Sequence, residues 1–150
     1  MPQSLARIVV HLVFSTKNRE PWLDDDLRPR AFAYLAEVGR DHGCEVHRVG
    51  GMPDHVHLGV QLGRTIYVAD LVKVVKQTSS VWIKREGRNH AGFAWQAGYG
   101  AFSVGASQLS ALLEYIERQE EHHRTKGFQD EYRGFLERYG VEYDERYVWD

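Results

Sequence analysis

The sequence is poor in the features that mark secreted and membrane-spanning proteins. Its 150 residues include one cysteine, Cys44, so no disulfide can form within the chain, which fits a reducing compartment. No apolar run reaches the roughly 18 residues that a membrane span requires, and the opening segment MPQSLARIVVHLVF lacks a secretory cleavage pattern. These absences predict a cytoplasmic protein without a membrane partner.

The chain also lacks any strong bias of composition. Hydrophobic residues make up 43% and charged residues 27% of it, which is typical of globular proteins. A chain of this length fits one domain and can bury roughly 68–70% of its unfolded surface. We predict a single domain over residues 1–150, with a core of about 5–125 and a C-terminal helix and acidic, aromatic tail over 126–150.

An excess of basic charge is missing as well, since the net charge is −2. That excludes a uniformly basic nucleic-acid binder, but the charge is unevenly distributed. Residues 1–113 carry 13 Lys and Arg against 10 Asp and Glu, whereas residues 114–150 carry 6 against 11. The asymmetry indicates a nucleic-acid-facing body with an acidic tail, although a solvated acidic C-terminus explains the same counts.

Hydrophobic periodicity predicts the element order β-α-β-β-α-β followed by two helices. The predicted strands cover 7–15, 44–51, 55–62 and 91–105, and the predicted helices cover about 24–42, 67–86, Ser107 to Gly127 and Phe128 to Gly140. This order matches an α+β fold, the ferredoxin-like or RRM-like βαββαβ sandwich with a central antiparallel sheet, here with added C-terminal helices. In that topology the first and third strands lie side by side in the centre.

The third predicted strand, HVHLGVQL, carries His55 and His57 on one face, because alternate side chains of a strand point to the same side. Val56, Leu58 and Val60 form the other face. We expect the apolar face to pack on the helices and the histidine face to be open.

Two imidazoles one strand repeat apart, about 6.5–7 Å at the backbone, can bind one metal ion. Gly59, the next residue on that face, would leave room beside them. An H-x-H pair also occurs in strands without a metal. Imidazole suits several divalent metals, so the pair alone does not identify the ion.

The third predicted helix contains a possible nucleophile and a third ligand. Tyr115, Gln119 and His122 are spaced by 4 and 3 residues, so they line one stripe of the helix. A phenol then lies one turn from an amide oxygen that can bind a hard cation. An amphipathic helix with an incidental surface tyrosine is the alternative interpretation.

Two segments are basic. A polar stripe of the second predicted helix recurs at spacings of 3, 4 and 4 and consists of Lys73, Lys76, Ser80 and Lys84. A loop after the first strand contains Lys17, Asn18 and Arg19. Such patches bind the phosphates of nucleic acids, although ordinary solvated helix faces look similar.

Four segments, taken in order, resemble the single-tyrosine HUH transposases: VFSTKNREPWL, GMPDHVHLGV, WQAGYGAFSV and YIERQEEHH. That family includes the insertion-sequence-200-like transposases and the REP-associated tyrosine transposases. The resemblance covers about residues 5–125. It implies a single HUH transposase domain that cuts and rejoins single-stranded DNA at hairpin-marked ends through a 5′-phosphotyrosine intermediate.

The same resemblance implies roles for particular residues. The implied ligands of a divalent metal, Mg²⁺ or Mn²⁺, are His55, His57 and Gln119. Tyr115 would be the nucleophile, and Asp54 would support the metal site. No general base is identifiable, and His122 is a candidate. The resemblance further implies a homodimer, a tyrosine helix that acts in its own subunit or in the partner, and no nucleotide cofactor.

Other functions remain open from the sequence. A catalytically silent or domesticated nucleic-acid-binding module of the same fold would bind hairpins without cutting them. A nickase of the relaxase or replication-initiator type would use the same metal and tyrosine chemistry. The short chain, the single candidate tyrosine and the lack of a helicase domain favour a transposase. A metal-dependent hydrolase would leave the pairing of Tyr115 with Gln119 unexplained.

Overall fold

The computed structural model describes residues 2–150. Its strands are β1 (Val9–Ser15), β2 (Glu45–Met52), β3 (His55–Gln61) and β4 (Gly100–Val104), and its helices are α1 (Leu27–Asp41), α2 (Val68–Glu86), α3 (Leu109–Glu117), α4 (Gln119–His122) and α5 (Phe128–Arg138). The four strands form one antiparallel sheet in the order β2-β3-β1-β4. The predicted fold is therefore confirmed, with the first and third strands in the centre.

Two predicted elements are shorter than expected. Helix α1 begins at Leu27 because Asp24 Oδ1 accepts the backbone N–H of that residue at 2.9 Å, which leaves the acidic turn outside the helix. Strand β4 covers only the end of the predicted strand 91–105. The part before it is a loop that pairs with the end of β1 through an isolated bridge between Thr16 and Trp95. Next to that bridge, Gln96 Oε1 accepts the backbone N–H of Ser15 at 2.7 Å.

The third predicted helix is interrupted, so the expectation of one helix from Ser107 to Gly127 is wrong. Arg118, with φ −96° and ψ 27°, separates α3 from α4. Gln119, the first residue of α4, points inward and is 2% exposed. Ser107 does not cap the helix, and Gly127 precedes α5 instead of ending α3. Within residues 2–150, no helix combines the length and hydrophobicity that crossing a membrane requires.

Helices cover both faces of the sheet. Helices α1 and α2 pack on the face that carries Leu12, Phe14, Val56 and Leu58. The opposite face, which carries the histidines, was expected to be open. That expectation is wrong, because α3, α4 and α5 cover it and both His55 and His57 are fully buried.

The histidine face is covered because apolar and small residues surround the imidazoles. The apolar residues of α5 form a second core with two residues of the sheet; its members are Val13, Phe102, Phe128, Tyr132, Phe135 and Leu136. Gly50 lets α3 approach closely, since a Cβ there would lie 2.4 Å from the Ile116 carbonyl oxygen. The room expected beside Gly59 is filled by α3, with Leu113 Cδ2 at 3.3 Å from a Cβ placed there.

The acidic, aromatic tail packs against the protein. Tyr143, Val148 and Trp149 contact the core around α5. Arg133 on α5 donates from Nε to Glu145 Oε1 at 2.6 Å and its guanidinium lies 4.9 Å from the Trp149 ring centroid. The tail therefore braces the outer side of α5.

Candidate active site

Polar atoms from the sheet and the C-terminal helices converge at the buried end of β3. His55 Nε2 lies 3.1 Å from Gln119 Oε1 and 3.5 Å from Glu131 Oε1. His57 Nε2 lies 2.9 Å from the same Glu131 oxygen. The strand thus places both imidazoles, α4 places the amide, and α5 places a carboxylate at one point.

Each imidazole is oriented by a second contact on its other nitrogen. His55 donates its Nδ1–H to Asp54 Oδ1 at 2.7 Å. His57 Nδ1 lies 2.8 Å from Nε2 of His11, which is 2% exposed. Both Nε2 atoms therefore point into the cluster, as in metal sites where an outer group fixes each histidine ligand. Asp54 lies where a supporting residue was predicted, whereas His11 was missed.

The donor set fits a divalent cation. In the tautomer of His55 that donates its Nδ1–H to Asp54, the lone pair lies on Nε2. That nitrogen faces an amide oxygen and a carboxylate oxygen, which are also acceptors. Hydrogen-bond acceptors that face one another need a proton or a cation between them. Nitrogen and oxygen atoms of this kind, which donate electron pairs, bind divalent metals. The ligand atoms of His55, His57, Glu131 and His123 all lie within 4.8 Å of one another.

Burial favours the neutral form of His57 and His11, and the neutral imidazole is the form that binds metals. Burial lowers the pKa of His57 to about 4, although the neighbouring Glu131 carboxylate raises it. Burial, together with the repulsion of a charged His57, lowers the pKa of His11 to about 3. In the tautomer that carries its proton on Nδ1, His57 donates to His11 Nε2, and the lone pair on its own Nε2 faces the cluster.

Tyr115 lies in the same cluster and in the same chain. Its hydroxyl donates a hydrogen bond to Glu131 Oε2, and its ring centroid is 5.7 Å from that of His57. Burial raises the pKa of Tyr115 above its ordinary value, and the charge of Glu131 raises it further. The phenol is therefore held protonated beside the candidate ligands.

The predicted His122 lies beside Tyr115 but contacts the carboxylate instead. Its ring centroid is 5.0 Å from that of Tyr115, while its Nε2 lies 3.3 Å from Glu131 Oε2. Burial lowers the pKa of His122 despite the attraction of that carboxylate. His122 therefore lies at the edge of the cluster and contacts Glu131, not the predicted metal ligands.

Two residues of this cluster were missed by the sequence analysis. His123 Nε2 lies 3.0 Å from Gln119 Oε1 and 3.2 Å from Glu131 Oε2. Burial would lower the pKa of His123, but the hydrogen bond and charge of Glu131 raise it. Burial would likewise raise the pKa of Glu131, but hydrogen bonds from His123 and His57 bring it well below its usual range.

The basic stripe of α2 lines a groove of about 600 Å³ between that helix and residues 93–99. Lys73 and Lys84 are exposed along one wall, with Ser80 between them and Tyr99 opposite. Lys76 differs, because its ammonium donates to the backbone carbonyls of residues 96–98. These hydrogen bonds hold the loop, so Lys76 is not free to bind a phosphate. Burial also lowers the pKa of Lys76 to about 8.

The basic loop after β1 lies next to the same segment. The backbone N–H of Lys17 donates to the carbonyl of Ala94 at 2.8 Å. Lys17 and Asn18 are exposed, whereas the Arg19 guanidinium lies 5.6 Å from the Trp149 ring centroid. Both predicted basic segments therefore contact residues 93–99, Lys17 through Ala94 and Lys76 through the carbonyls of residues 96–98.

A separate cavity of about 350 Å³ leads to Tyr115 between α3 and α5. Tyr115, His122 and Glu131 line its inner part, and Lys126 and Arg138 also line it and are exposed. The cavity gives a small anionic group a route to the tyrosine hydroxyl past two cationic side chains.

Comparisons with known proteins identify the family of this chain. Residues 4–119 match the family described as IS200-like transposases. The ISDra2 transposase TnpA of Deinococcus radiodurans is 25% identical over 114 residues, which cover 73% of this chain and 81% of that protein.

Two solved structures share the fold. A crystal structure of a candidate transposase from Deinococcus radiodurans covers 79% of this chain and 98% of its own, with 24% identity and a TM-score of 0.62. The REP-associated tyrosine transposase bound to a REP hairpin covers 82% of this chain and 73% of its own, with 13% identity and a TM-score of 0.61. Since the family match extends over most of the sequence, the chain belongs to the family of IS200-like transposases.

Proposed function

We propose that this transposase cuts and rejoins single-stranded DNA at hairpin-marked ends through a 5′-phosphotyrosine intermediate. One observation supports this most directly: the Tyr115 phenol and the imidazoles of His55 and His57 lie in one buried cluster of the same chain. A nucleophile beside a candidate metal site is what metal-assisted phosphoryl transfer requires. Because the proposed substrate is DNA, we expect the protein to act in the cytoplasm.

The residues that would hold the metal, Mg²⁺ or Mn²⁺, are His55, His57 and Gln119. When bound, the ion supplies a Lewis acid that polarises the scissile phosphate and offsets charge in the transition state. Asp54 accepts the Nδ1–H of His55, which leaves Nε2 of that imidazole to bind the ion. Both imidazoles are fully buried, and the cavity beside Tyr115 reaches the cluster at His11, Tyr115 and Glu131.

The covalent step transfers a phosphoryl group to Tyr115. Its phenolic oxygen attacks the phosphorus, the bond from phosphorus to the 3′ oxygen breaks, and the departing oxygen takes a proton and becomes a 3′-hydroxyl. The 5′ end of the other fragment stays linked to the tyrosine. The phosphodiester energy is conserved in that link, so attack by a 3′-hydroxyl rejoins DNA without a nucleotide cofactor.

The proton of the phenol must leave during the attack. Burial and the neighbouring carboxylate keep Tyr115 protonated in the free protein, so it is a poor nucleophile until DNA binds. Its hydroxyl already donates a hydrogen bond to Glu131, so the proton can leave toward that carboxylate. His122 is close to the same carboxylate, so it fits the role of an outer proton relay better than that of a base acting directly on Tyr115.

The DNA path we propose uses both concave surfaces. The scissile phosphate enters the cavity beside Tyr115, where Lys126 and Arg138 attract it. The flanking strand or hairpin lies against the groove of α2, where Lys73, Ser80 and Lys84 offer phosphate contacts. Tyr99 is 37% exposed on the facing wall and can stack on an unpaired base. The loop of Lys17 and Asn18 extends this basic surface.

The test is a denaturing gel of purified protein incubated with labelled single-stranded hairpin oligonucleotides and Mn²⁺ or Mg²⁺. We expect a shifted band that resists denaturation and disappears with EDTA or with Tyr115→Phe. Tyr143→Phe is the matched control, because this tail tyrosine does not line the cavity that contains Tyr115. A covalent band on Tyr115→Phe would contradict the proposed nucleophile.

The pool of oligonucleotides should include the DNA that flanks the gene. Tight, salt-dependent hairpin binding without a covalent band, with either metal, would support the catalytically silent binding module instead. The homodimer remains a prediction. The ring of Tyr115 lies 5.7 Å from that of His57 in the same chain, which supports a site that each chain completes by itself.

A further inference from the structure

Glu131 is a carboxylate with an unusual position on α5. It is 3% exposed and belongs to the buried residues of that helix together with Phe128, Tyr132 and Phe135. These aromatic neighbours are also buried, so the backbone at Glu131 is fixed by packing. The carboxylate therefore reaches the cluster from a rigid helix and not from a loose loop.

The charge of Glu131 needs a positive partner. An unpaired buried carboxylate is costly, and such groups are paired or bind metals. Among residues 2–150, the side chains within ion-pair distance of Glu131 are all histidines: His55, His57, His122 and His123. No lysine or arginine of the described chain lies at that distance. His122 and His123 face Oε2, so among the described residues Oε1 has the two imidazoles of the metal site, His55 and His57, beside it.

The two oxygens of this carboxylate face different groups. Oε1 lies 2.9 Å from His57 Nε2 and 3.5 Å from His55 Nε2, on the side of the metal site. Oε2 accepts the hydroxyl of Tyr115 and lies 3.4 Å from Gln119 Nε2. A carboxylate in this position can bind an ion through one oxygen while the other orients the nucleophile.

We propose that Glu131 is a fourth protein ligand of the metal and that it positions Tyr115 beside the ion. This inference rests on the metal site proposed above and adds a ligand from the C-terminal helix to it. The site then has two imidazoles, one amide oxygen and one carboxylate oxygen. Its ligand charge becomes negative, which strengthens the binding of a divalent ion.

The test measures Mn²⁺ binding to the full chain after removal of metals, by isothermal titration calorimetry and by loss of the free Mn²⁺ signal in electron paramagnetic resonance. We expect one site for the unmodified chain and an increase in Kd of at least about tenfold for Glu131→Gln and for Glu131→Ala. Glu137→Gln is the matched control, because Glu137 is exposed on the same helix. Its Kd should be unchanged.

Two outcomes separate this inference from the proposed function. If the unmodified chain does not bind Mn²⁺, or if His55→Ala does not weaken binding, the metal site itself is rejected. If binding depends on His55 but is equally tight in Glu131→Gln, only the fourth ligand is overturned.

A second measurement does not depend on how well the variants fold. The unmodified chain, labelled with ¹³C-carboxyl glutamate and loaded with Mn²⁺, should show a ¹³C hyperfine coupling in electron–nuclear double resonance. The lack of that coupling in a chain that binds the ion would overturn the inference. Tyr115→Phe should leave both the coupling and the Kd in place, since it removes only the partner of the second oxygen.

Discussion

Nε2 of His11 lies 2.8 Å from Nδ1 of His57, and the two buried rings are stacked with their centroids 5.0 Å apart. The contact joins the two central strands, since β1 places His11 opposite Gly59, the next residue of β3 on the histidine face. It leaves Nε2 of His57 to face Glu131. His11 is therefore suited to hold the imidazole of His57 in the orientation that a metal ion requires.

Replacement of His11 should weaken metal binding without removing a ligand. We expect His11→Phe to raise the Kd for Mn²⁺ about 10- to 100-fold, because His57 loses the partner that fixes its ring. Calorimetry of the metal-free chain gives the Kd. His47→Phe, in the same sheet but absent from the cluster, should leave it unchanged. An unaltered Kd for His11→Phe would show that packing alone orients His57.

The metal-free protein should lose stability as the pH falls from about 7.5 to 5. Burial lowers the folded-state pKa of His57 to about 4 and that of His11 to about 3, from 6.5 in the unfolded chain. Between these values the unfolded state binds more protons, so acidification favours unfolding. For His57 alone the loss at pH 5 is about 2 kcal/mol. The raised pKa of His123 acts in the opposite direction and offsets part of this loss.

Urea denaturation at the two pH values, with EDTA present, measures this effect. The His11→Phe variant should show a shallower pH dependence than the unmodified chain, because one of the two buried histidines that resist protonation is gone. A free energy of unfolding that stays constant or rises on acidification would contradict the prediction.

The sheet could be predicted from the sequence because its signals are local. The alternation in HVHLGVQL and the turn at Pro53 and Asp54 fix β3 and its hairpin with β2 through nearest neighbours. The pairing of β1 with β3 then follows from the topology. The same alternation places His55 and His57 on one face, so their convergence was predictable as well.

The burial of that face was not predictable in the same way. A strand that alternates polar and apolar residues usually turns its polar side to solvent, and only tertiary packing decides that α3 and α5 cover it. His11 belongs to an otherwise apolar strand, so nothing in its own segment links it to His57. Glu131 had one signal, since it is a charged residue inside the apolar stripe of Phe128, Tyr132 and Phe135.

The close contact of α3 with β2 should be sensitive to one methyl group. A Cβ at Gly50 would lie 2.4 Å from the carbonyl oxygen and 2.8 Å from Cγ2 of Ile116, and that helix carries Tyr115. We expect Gly50→Ala to reduce the free energy of unfolding by about 1–3 kcal/mol, as overpacking does. Urea denaturation with circular dichroism measures it.

The control for this change is Gly134→Ala on α5. The nearest atom to a Cβ at Gly134 is Lys126 Nζ at 3.8 Å, so the methyl group fits. Alanine also favours a helix over glycine by about 1 kcal/mol, so this variant should be as stable as the unmodified chain or more so. Equal stability of both alanine variants would mean that α3 can move away from the sheet at little cost.

The lysines of the α2 groove should separate into two kinds. Lys73 and Lys84 are exposed, so Lys73→Ala with Lys84→Ala should weaken hairpin binding and reduce the magnitude of its salt dependence by about 0.7 per lost phosphate contact on a single strand. Lys76 is bound to backbone carbonyls, so Lys76→Ala should lower thermal stability instead. Binding measured over a series of salt concentrations distinguishes the two, and an unchanged salt slope for the double variant would remove the groove from the DNA path.

The position of Tyr115 predicts a site that works within one chain. Its ring lies 5.7 Å from that of His57 in the same chain, and its hydroxyl donates to Glu131 of that chain. A mixture of Tyr115→Phe, which keeps the ligands, with His57→Ala, which keeps the tyrosine, should therefore form no more covalent DNA adduct than the two variants give separately. If subunits exchanged their tyrosine helices, a mixed dimer would contain one complete site. Random pairing makes about half of the dimers mixed, so the mixture would regain up to about a quarter of the adduct. Recovery of the adduct on mixing would show that the tyrosine acts in the partner, whereas its absence, in a mixture whose association is verified by size-exclusion chromatography with light scattering, would establish that each chain uses its own.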